Sequence, residues 1–257
     1  MKPSNPTPGL DRYMTAIQDM QTRVIDSQRE ALDQVAGRMA ATIRSAGRIF
    51  VFGTGHSHMM AEEAFYRAGG LAPVVPILMT GLMLHENALL SSKLERLPGL
   101  AAPLLDQFAP QPGEMLFVYS NSGANHMPVE MALLGKERGL FVVTVQSLAY
   151  ARVAPLSALG KRLDEVADIA LDNGGEPGDA LVPLQNSDWR VASSSTVLCA
   201  LIWNSLVAET AYRLEALGEE LPVFISFNMP GAQDHNQAVL EKWGARNPYL
   251  KGWLPHA

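Results

Sequence analysis

The stretch from residue 48 to 70, RIFVFGTGHSHMMAEEAFYRAGG, constrains this chain more than any other. Ile49, Phe50, Val51 and Phe52 form an unbroken apolar run, the pattern of a parallel strand covered on both faces. The run stops at Gly53-Thr54-Gly55, where glycines let the backbone turn sharply and approach a ligand closely. His56, Ser57 and His58 then open a segment, MMAEEAFYRA, whose composition favours a helix. A strand, a small polar loop and a helix start present free amides to one point, which is the arrangement of an anion seat. A dinucleotide site fits poorly: His58 stands where the third glycine of G-x-G-x-x-G would fall, and the second strand runs into Met79-Thr80-Gly81 without its acidic residue. A Walker loop fails for want of the Gly-Lys-Ser/Thr ending.

The same design returns at MLFVYSNSG. An apolar strand (residues 115–119) runs into Ser120, Asn121, Ser122 and Gly123, and a helix is expected from about Asn125 to Arg138. Two such units place two polar loops side by side at the carboxyl ends of a parallel sheet, where ligands bind in open α/β folds. Further strands are expected at VVPIL, FVVTV and DIALDN, with a last strand-like run at VFISF. Helices are expected at GLMLHENALLSSKLERLPGLAAPLLDQF, at LSALGKRLDEVA, over residues 188–217, and after Asp234 as N-cap. Ser193, Ser194, Ser195 and Thr196 lie near the start of the 188–217 helix, where hydroxyls either cap amides or touch a ligand oxygen.

Ahead of the first strand, residues 1–9 read as a loose arm and residues 10–46 as amphipathic helix, with Gln28 interrupting its apolar stripe so that one kinked helix or two are possible. No tandem repeat or internal linker is visible, so residues 10–257 are expected to form one domain. The formal net charge of -6 argues against a nucleic-acid partner. The single cysteine, Cys199, lies in an apolar run, excludes an intramolecular disulfide and suits a reducing compartment. The polar N-terminus and the absence of a membrane-length apolar run point to a cytoplasmic protein without membrane contact.

The two loops, G-T-G-H-S and S-N-S-G-A-N, resemble those of the sugar isomerase (SIS) domain family, and A-E-E-x-x-Y-R-A-G-G looks closest to stand-alone members related to phosphoheptose isomerases. The resemblance covers roughly residues 43–227. It implies a three-layer α/β/α, flavodoxin-like fold with a parallel sheet of about five strands, between an N-terminal helical extension and a C-terminal one. It also implies a phosphorylated sugar as ligand, no cofactor or metal, and a homodimer or homotetramer with the site near the subunit interface. Ser57 takes the place of the family's first-loop serine, with Thr54, Gly55 and His56 beside it. Ser120, Asn121, Ser122 and Gly123 match the second loop, and Asn125 stands where relatives often carry threonine.

Aldose–ketose isomerisation needs a base to remove a proton next to a carbonyl, work suited to a desolvated carboxylate. Glu62 and Glu63 point about a hundred degrees apart on a helix, so only one is expected to face the site. The resemblance favours Glu63, one helical turn closer to the loop than in phosphoheptose isomerases. His235, at the head of the last helix, is nominated as its acid/base partner. His85 and Glu86 are candidates for a neighbouring subunit's site. No H-E-x-x-H zinc motif exists, because Leu89 occupies its last position. One of His56 and His58 is expected to support the anion, and His126 to be exposed. An etherase or lyase, or a non-catalytic sugar-phosphate sensor, are the alternatives to an isomerase.

Overall fold

The computed structural model describes residues 7–250. The chain opens with α1 (Pro8–Arg44), a single 37-residue helix. Pro8 and Gly9, expected in the loose arm, are helical: Pro8 takes the first helical position, where a proline costs no hydrogen bond, and residues 1–6 of the expected arm lie outside the described residues. Gln28 does not break the helix. Its side-chain carbonyl accepts the backbone N–H of Asp172 at 3.0 Å, so the polar gap in the stripe ties α1 to the sheet.

Five parallel strands follow the expected runs: β1 (Ile49–Gly53), β2 (Val74–Pro76), β3 (Met115–Tyr119), β4 (Phe141–Gln146) and β5 (Ile169–Asp172). Their order is β2-β1-β3-β4-β5, with Gly53 level with Tyr119 where β1 ends. One face of the sheet packs on α1, on α2 (Met59–Ala64) and on α7 (Ser195–Ala216), where Trp203 meets Phe117 edge-on at 5.3 Å between ring centroids. The other face is covered by α4 (Ala101–Asp106) and α5 (His126–Glu137), and α3 (Ala88–Leu94) adds the partly buried Leu94. The result is the expected α/β/α sandwich with a long N-terminal helix. Among the described residues no helix is long and apolar enough to cross a membrane.

Five local expectations need correction. Residues 156–167 form turns rather than a helix: the amides of Ser157 and Leu163 go to the carbonyls of Ala124 and Gly123, and Gly160 adopts a positive φ. The nearby helix is instead α6 (Leu148–Val153). The 188–217 helix starts only at Ser195, because β6 (Val182–Pro183) and β7 (Arg190–Val191) pair as an antiparallel hairpin and Ala192 turns left-handed. VFISF supplies one bridge, Val223 to Leu71, and no strand. Finally, α8 (Ala232–Trp243) begins before Asp234, with Gly231 as N-cap and Asp234 inside its first turn. The helix read through residue 68 also ends early, at Ala64: Phe65 is extended, Tyr66 turns left-handed, and its ring meets Phe224 edge-on at 5.1 Å between centroids.

Candidate functional site

Loop 1 leaves β1 at Gly53 and doubles back on it. Ser57 donates its amide to the Thr54 carbonyl at 3.0 Å, Gly55 has φ +55°, and residues Gly55–His58 form a single 3₁₀ turn into α2. Loop 2 leaves β3 at Ser120. Gly123 there has φ +60°, and an added Cβ would stand 2.7 Å from Gln146 Oε1. Because β1 and β3 are neighbours, the loops rise about 4.8 Å apart at the point where strand order reverses, the usual crevice of such sheets.

The second loop is rich in unclaimed donors. The amides of Ser122, Ala124 and Asn125 are not taken by any carbonyl among the described residues. Asn121 Oδ1 accepts from Asn173 Nδ2 at 3.0 Å, while its own Nδ2 is buried without a partner. Asn125 caps α5 by position but not by a side-chain bond.

Between the loops lies a crevice lined by His56 and Ser57 from loop 1, Asn121 from loop 2, Met60 of α2, and Ser195, Thr196 and Cys199 at the head of α7. Its volume is about 10 Å³, the room of a single water rather than of a sugar ring. Ser57 and loop 2 thus share one crevice. Ser122, Gly123 and Asn125 are not among its lining residues, and Ser120 is buried at the strand end. Thr54 is already engaged: its hydroxyl donates to Glu95 Oε2 at 2.8 Å. The head of α7 is capped by Asp179, whose Oδ1 accepts the amides of Ser194 and Ser195 at 3.0 Å each. Of the four hydroxyl residues there, Ser194 and Ser195 serve the cap, and Ser195 and Thr196 also border the crevice.

Burial pushes the Cys199 thiol up to about 12, Asn173 pulling weakly the other way and Asp179 adding to the rise. A thiol held protonated is a poor nucleophile. Native protein at pH 8 is therefore expected to resist iodoacetamide at Cys199 over a period in which unfolded protein is fully alkylated; equal labelling in both states would show the crevice opening to solvent.

α2 carries its two carboxylates on different sides. Glu63 pairs with Arg67 and lies 3.4 Å from Asn204 Nδ2 of α7. Glu62 leans toward His58, with Oε2 at 3.7 Å from Nδ1. His58 is 1% exposed and neither ring nitrogen has a partner. Burial lowers its pKa, against the attraction of Glu62 and with a small further push from His85. His85 and Glu86 are exposed on the segment leading to α3, and His126 is buried, not exposed, at the start of α5. His235 binds the Val223 carbonyl at 2.8 Å through Nε2. Val223 bridges Leu71, just before β2, so His235 stands at the amino edge of the sheet, opposite both loops. Within one chain it does not meet Ser57 or either α2 carboxylate.

Glu95, Asp179 and Asn173 are the site-shaping residues that sequence reasoning passed over. Each acts across 15 to 52 residues of chain (Asp179 to Ser194, Glu95 to Thr54, Asn173 to Asn121), and none belongs to a spaced motif. Among the described residues no group of three His, Cys, Asp or Glu side chains is placed to hold a metal ion.

Comparison with known proteins fits this geometry. Residues 12–147 match the family described as SIS domain. UPF0309 protein BH0227 of Halalkalibacterium halodurans is 41% identical over 242 residues, covering 94% of this chain and 97% of its own length. UPF0309 protein BCAN_B0929 of Brucella canis is 40% identical over 241 residues, covering 93% and 98%. In fold, the chain is similar to a phosphoheptose isomerase from Francisella tularensis, with TM-score 0.50 and 15% identity over 80% of this chain and 98% of that one. A phosphoheptose isomerase from Neisseria gonorrhoeae gives TM-score 0.50 and 14% identity over 80% and 97%. With the matched segment spanning more than half of the chain and such relatives extending along nearly all of it, this protein belongs to the SIS domain family.

Proposed function

We propose that this protein binds a phosphorylated sugar between loops 1 and 2 and interconverts its aldose and ketose forms. The observation that carries the reading is the convergence of Ser57 and Asn121 on one crevice at the reversal of strand order, with Asn121 opening a loop whose Ser122, Ala124 and Asn125 amides are unclaimed. Oriented N–H and O–H donors suit a phosphate dianion, and phosphate fixed there holds the sugar in register for proton transfer. The reaction proposed is that of the phosphoheptose isomerases whose fold this chain shares.

Proton abstraction falls to the carboxylates of α2: Glu63, which the resemblance nominates, on the side of α7, and Glu62 on the side of His58. With room for one water between the loops, the crevice takes one phosphate oxygen in place of that water, and the rest of the sugar phosphate lies above it. The proposal includes assembly as a homodimer or homotetramer, readable by light scattering, with the segment carrying His85 and Glu86 available to a neighbouring copy. The test is a thermal-shift screen against fructose 6-phosphate, ribose 5-phosphate and sedoheptulose 7-phosphate, each beside its unphosphorylated sugar. A ligand at a hundred times its dissociation constant adds about 2.7 kcal/mol of stability. Stabilisation by none of the phosphates, or equally by the bare sugars, would remove the phosphate seat.

A further inference from the structure

We infer that Glu62 takes the proton from the sugar carbon and that His58 is the positioning residue that holds this carboxylate and relieves it of the proton; the assignment rests on the isomerase reading above. Its starting point is an oddity of burial. A polar side chain sealed from water normally finds a hydrogen-bond partner, because leaving one unsatisfied costs about 1–3 kcal/mol. His58 is sealed and has none at either nitrogen. A group kept in that condition immediately behind the first loop is a candidate for work during the reaction.

What faces the ring says which work. Two titratable groups act on it: Glu62, from the next turn of α2, and His85, from the segment leading to α3. Glu62 Oε2 stands 3.7 Å from Nδ1, just beyond a hydrogen bond, and the i,i+4 spacing lets a small rotation close the gap. The Glu62 side chain is 49% exposed and the His58 ring is sealed, so the carboxylate can meet a substrate and the imidazole cannot. Burial keeps the resting ring neutral at pH 7, leaving one nitrogen free to accept. Glu63 is differently placed, its charge balanced by Arg67 just beyond the end of α2.

In the aldose-to-ketose direction the proton on C2 passes to Glu62, the C2–H electron pair forms the C1–C2 double bond, and the C1–O1 π pair moves to O1, which gains a proton from water. Glu62 passes its new proton to Nδ1 of His58 and is an anion again while the enediol lasts. The proton then returns through Glu62 to C1, the O2 proton leaves to water as the C2 carbonyl forms, and the water that supplied the O1 proton is restored, so nothing is gained or lost in sum. A carboxylate relieved in this way never faces the enediol as a neutral acid stranded between two steps.

The test follows deuterium entering C1 or C2 of fructose 6-phosphate, ribose 5-phosphate and sedoheptulose 7-phosphate in D₂O, with wild type, His58→Asn, Glu62→Gln and Glu63→Gln. On whichever sugar the wild type turns over, His58→Asn is expected to lower kcat about a hundredfold with little change in KM, and to flatten the acidic limb of the kcat/KM profile. Glu62→Gln is expected to fall at least about tenfold further than Glu63→Gln. Should His58→Asn fail to fold, the His58 ring titration followed by NMR decides: Glu62→Gln removes the attraction that raises it, and the midpoint is expected to drop. An unmoved midpoint, a His58→Asn enzyme with intact kcat and limb, or a Glu63→Gln enzyme weaker than Glu62→Gln each overturns the assignment alone. No exchange by the wild type on any of the three sugars overturns the isomerase reading, and the assignment with it.

Discussion

Replacing Arg48 with methionine is expected to destabilise the protein by about 3–5 kcal/mol, the cost of stripping one partner from a buried ion pair. Arg48 sits at the amino end of β1 and uses all five of its N–H donors. Nε and one Nη2 hydrogen grip the two oxygens of Glu114 at 2.9 Å each, Nη1 serves the carbonyls of Phe108 and Arg246, and the last hydrogen goes to Ala109. Glu114 also accepts the Arg48 and Gln111 amides and one Arg246 donor at 2.8 Å. These bonds join the edge of β1 to the loops before β3 and after α8, so methionine leaves a sealed carboxylate short of a partner and three carbonyls short of a donor. Chemical denaturation of Arg48→Met, Glu114→Leu and the double variant measures the coupling. The double variant should lose clearly less than the sum of the singles, and additive losses would show that the pair contributes nothing as a pair.

The same carboxylate sets a pH dependence. Burial alone would raise the Glu114 pKa, but the hydrogen bonds from Arg48 and Gln111, with the Arg48 and Arg246 charges, outweigh it and hold it below its ordinary 4.5. A lowered folded pKa contributes stability that is complete above the unfolded value and disappears as pH falls through the folded one. The Tm gap between wild type and Glu114→Gln should therefore be constant near neutrality and close below pH 4.5. A gap that stays open down to acid unfolding would contradict this.

The sheet was legible because its strands are apolar on both faces: residues 49–52 and 115–119 have no other stable place than the middle of an α/β sandwich. The two loops were legible for the same reason, as polar interruptions at fixed points of buried runs. Residues 156–167 were not, since their apolar spacing suits a helix while their amides are claimed by Gly123 and Ala124, more than thirty residues back. The histidines show the same limit. His56 and His58 alternate alike in the sequence, yet in the fold one is exposed and the other sealed. His235 has a plausible place in the sequence at the head of a helix, yet the bridge between Leu71 and Val223 takes that helix to the far edge of the sheet. Composition and periodicity report which face of an element is buried; they carry little about which distant backbone atoms compete for a donor.

Gly53→Ala is the substitution expected to cost the candidate site most. Its Cβ would stand 2.3 Å from the Ser57 carbonyl oxygen, 2.5 Å from the Ser57 carbonyl carbon and 3.0 Å from the His58 amide, all backbone atoms that no rotamer change can move aside. Loop 1 lies against β1 only because residue 53 lacks a side chain, and that contact brings Ser57 to the crevice and sets the start of α2. A methyl group there forces the turn outward, with an expected loss of about 1–3 kcal/mol from overpacking and a loss of the ligand-induced thermal shift. Gly55→Ala is the informative comparison. Nothing lies within 4 Å of its Cβ, so only the left-handed φ of +55° opposes it, at about 1–2 kcal/mol and without displacing Ser57. Tm values for both variants, with and without the sugar phosphate that stabilises wild type, should show the response abolished in Gly53→Ala and largely kept in Gly55→Ala. If both keep it, the close approach of loop 1 to β1 plays no part in holding the phosphate seat.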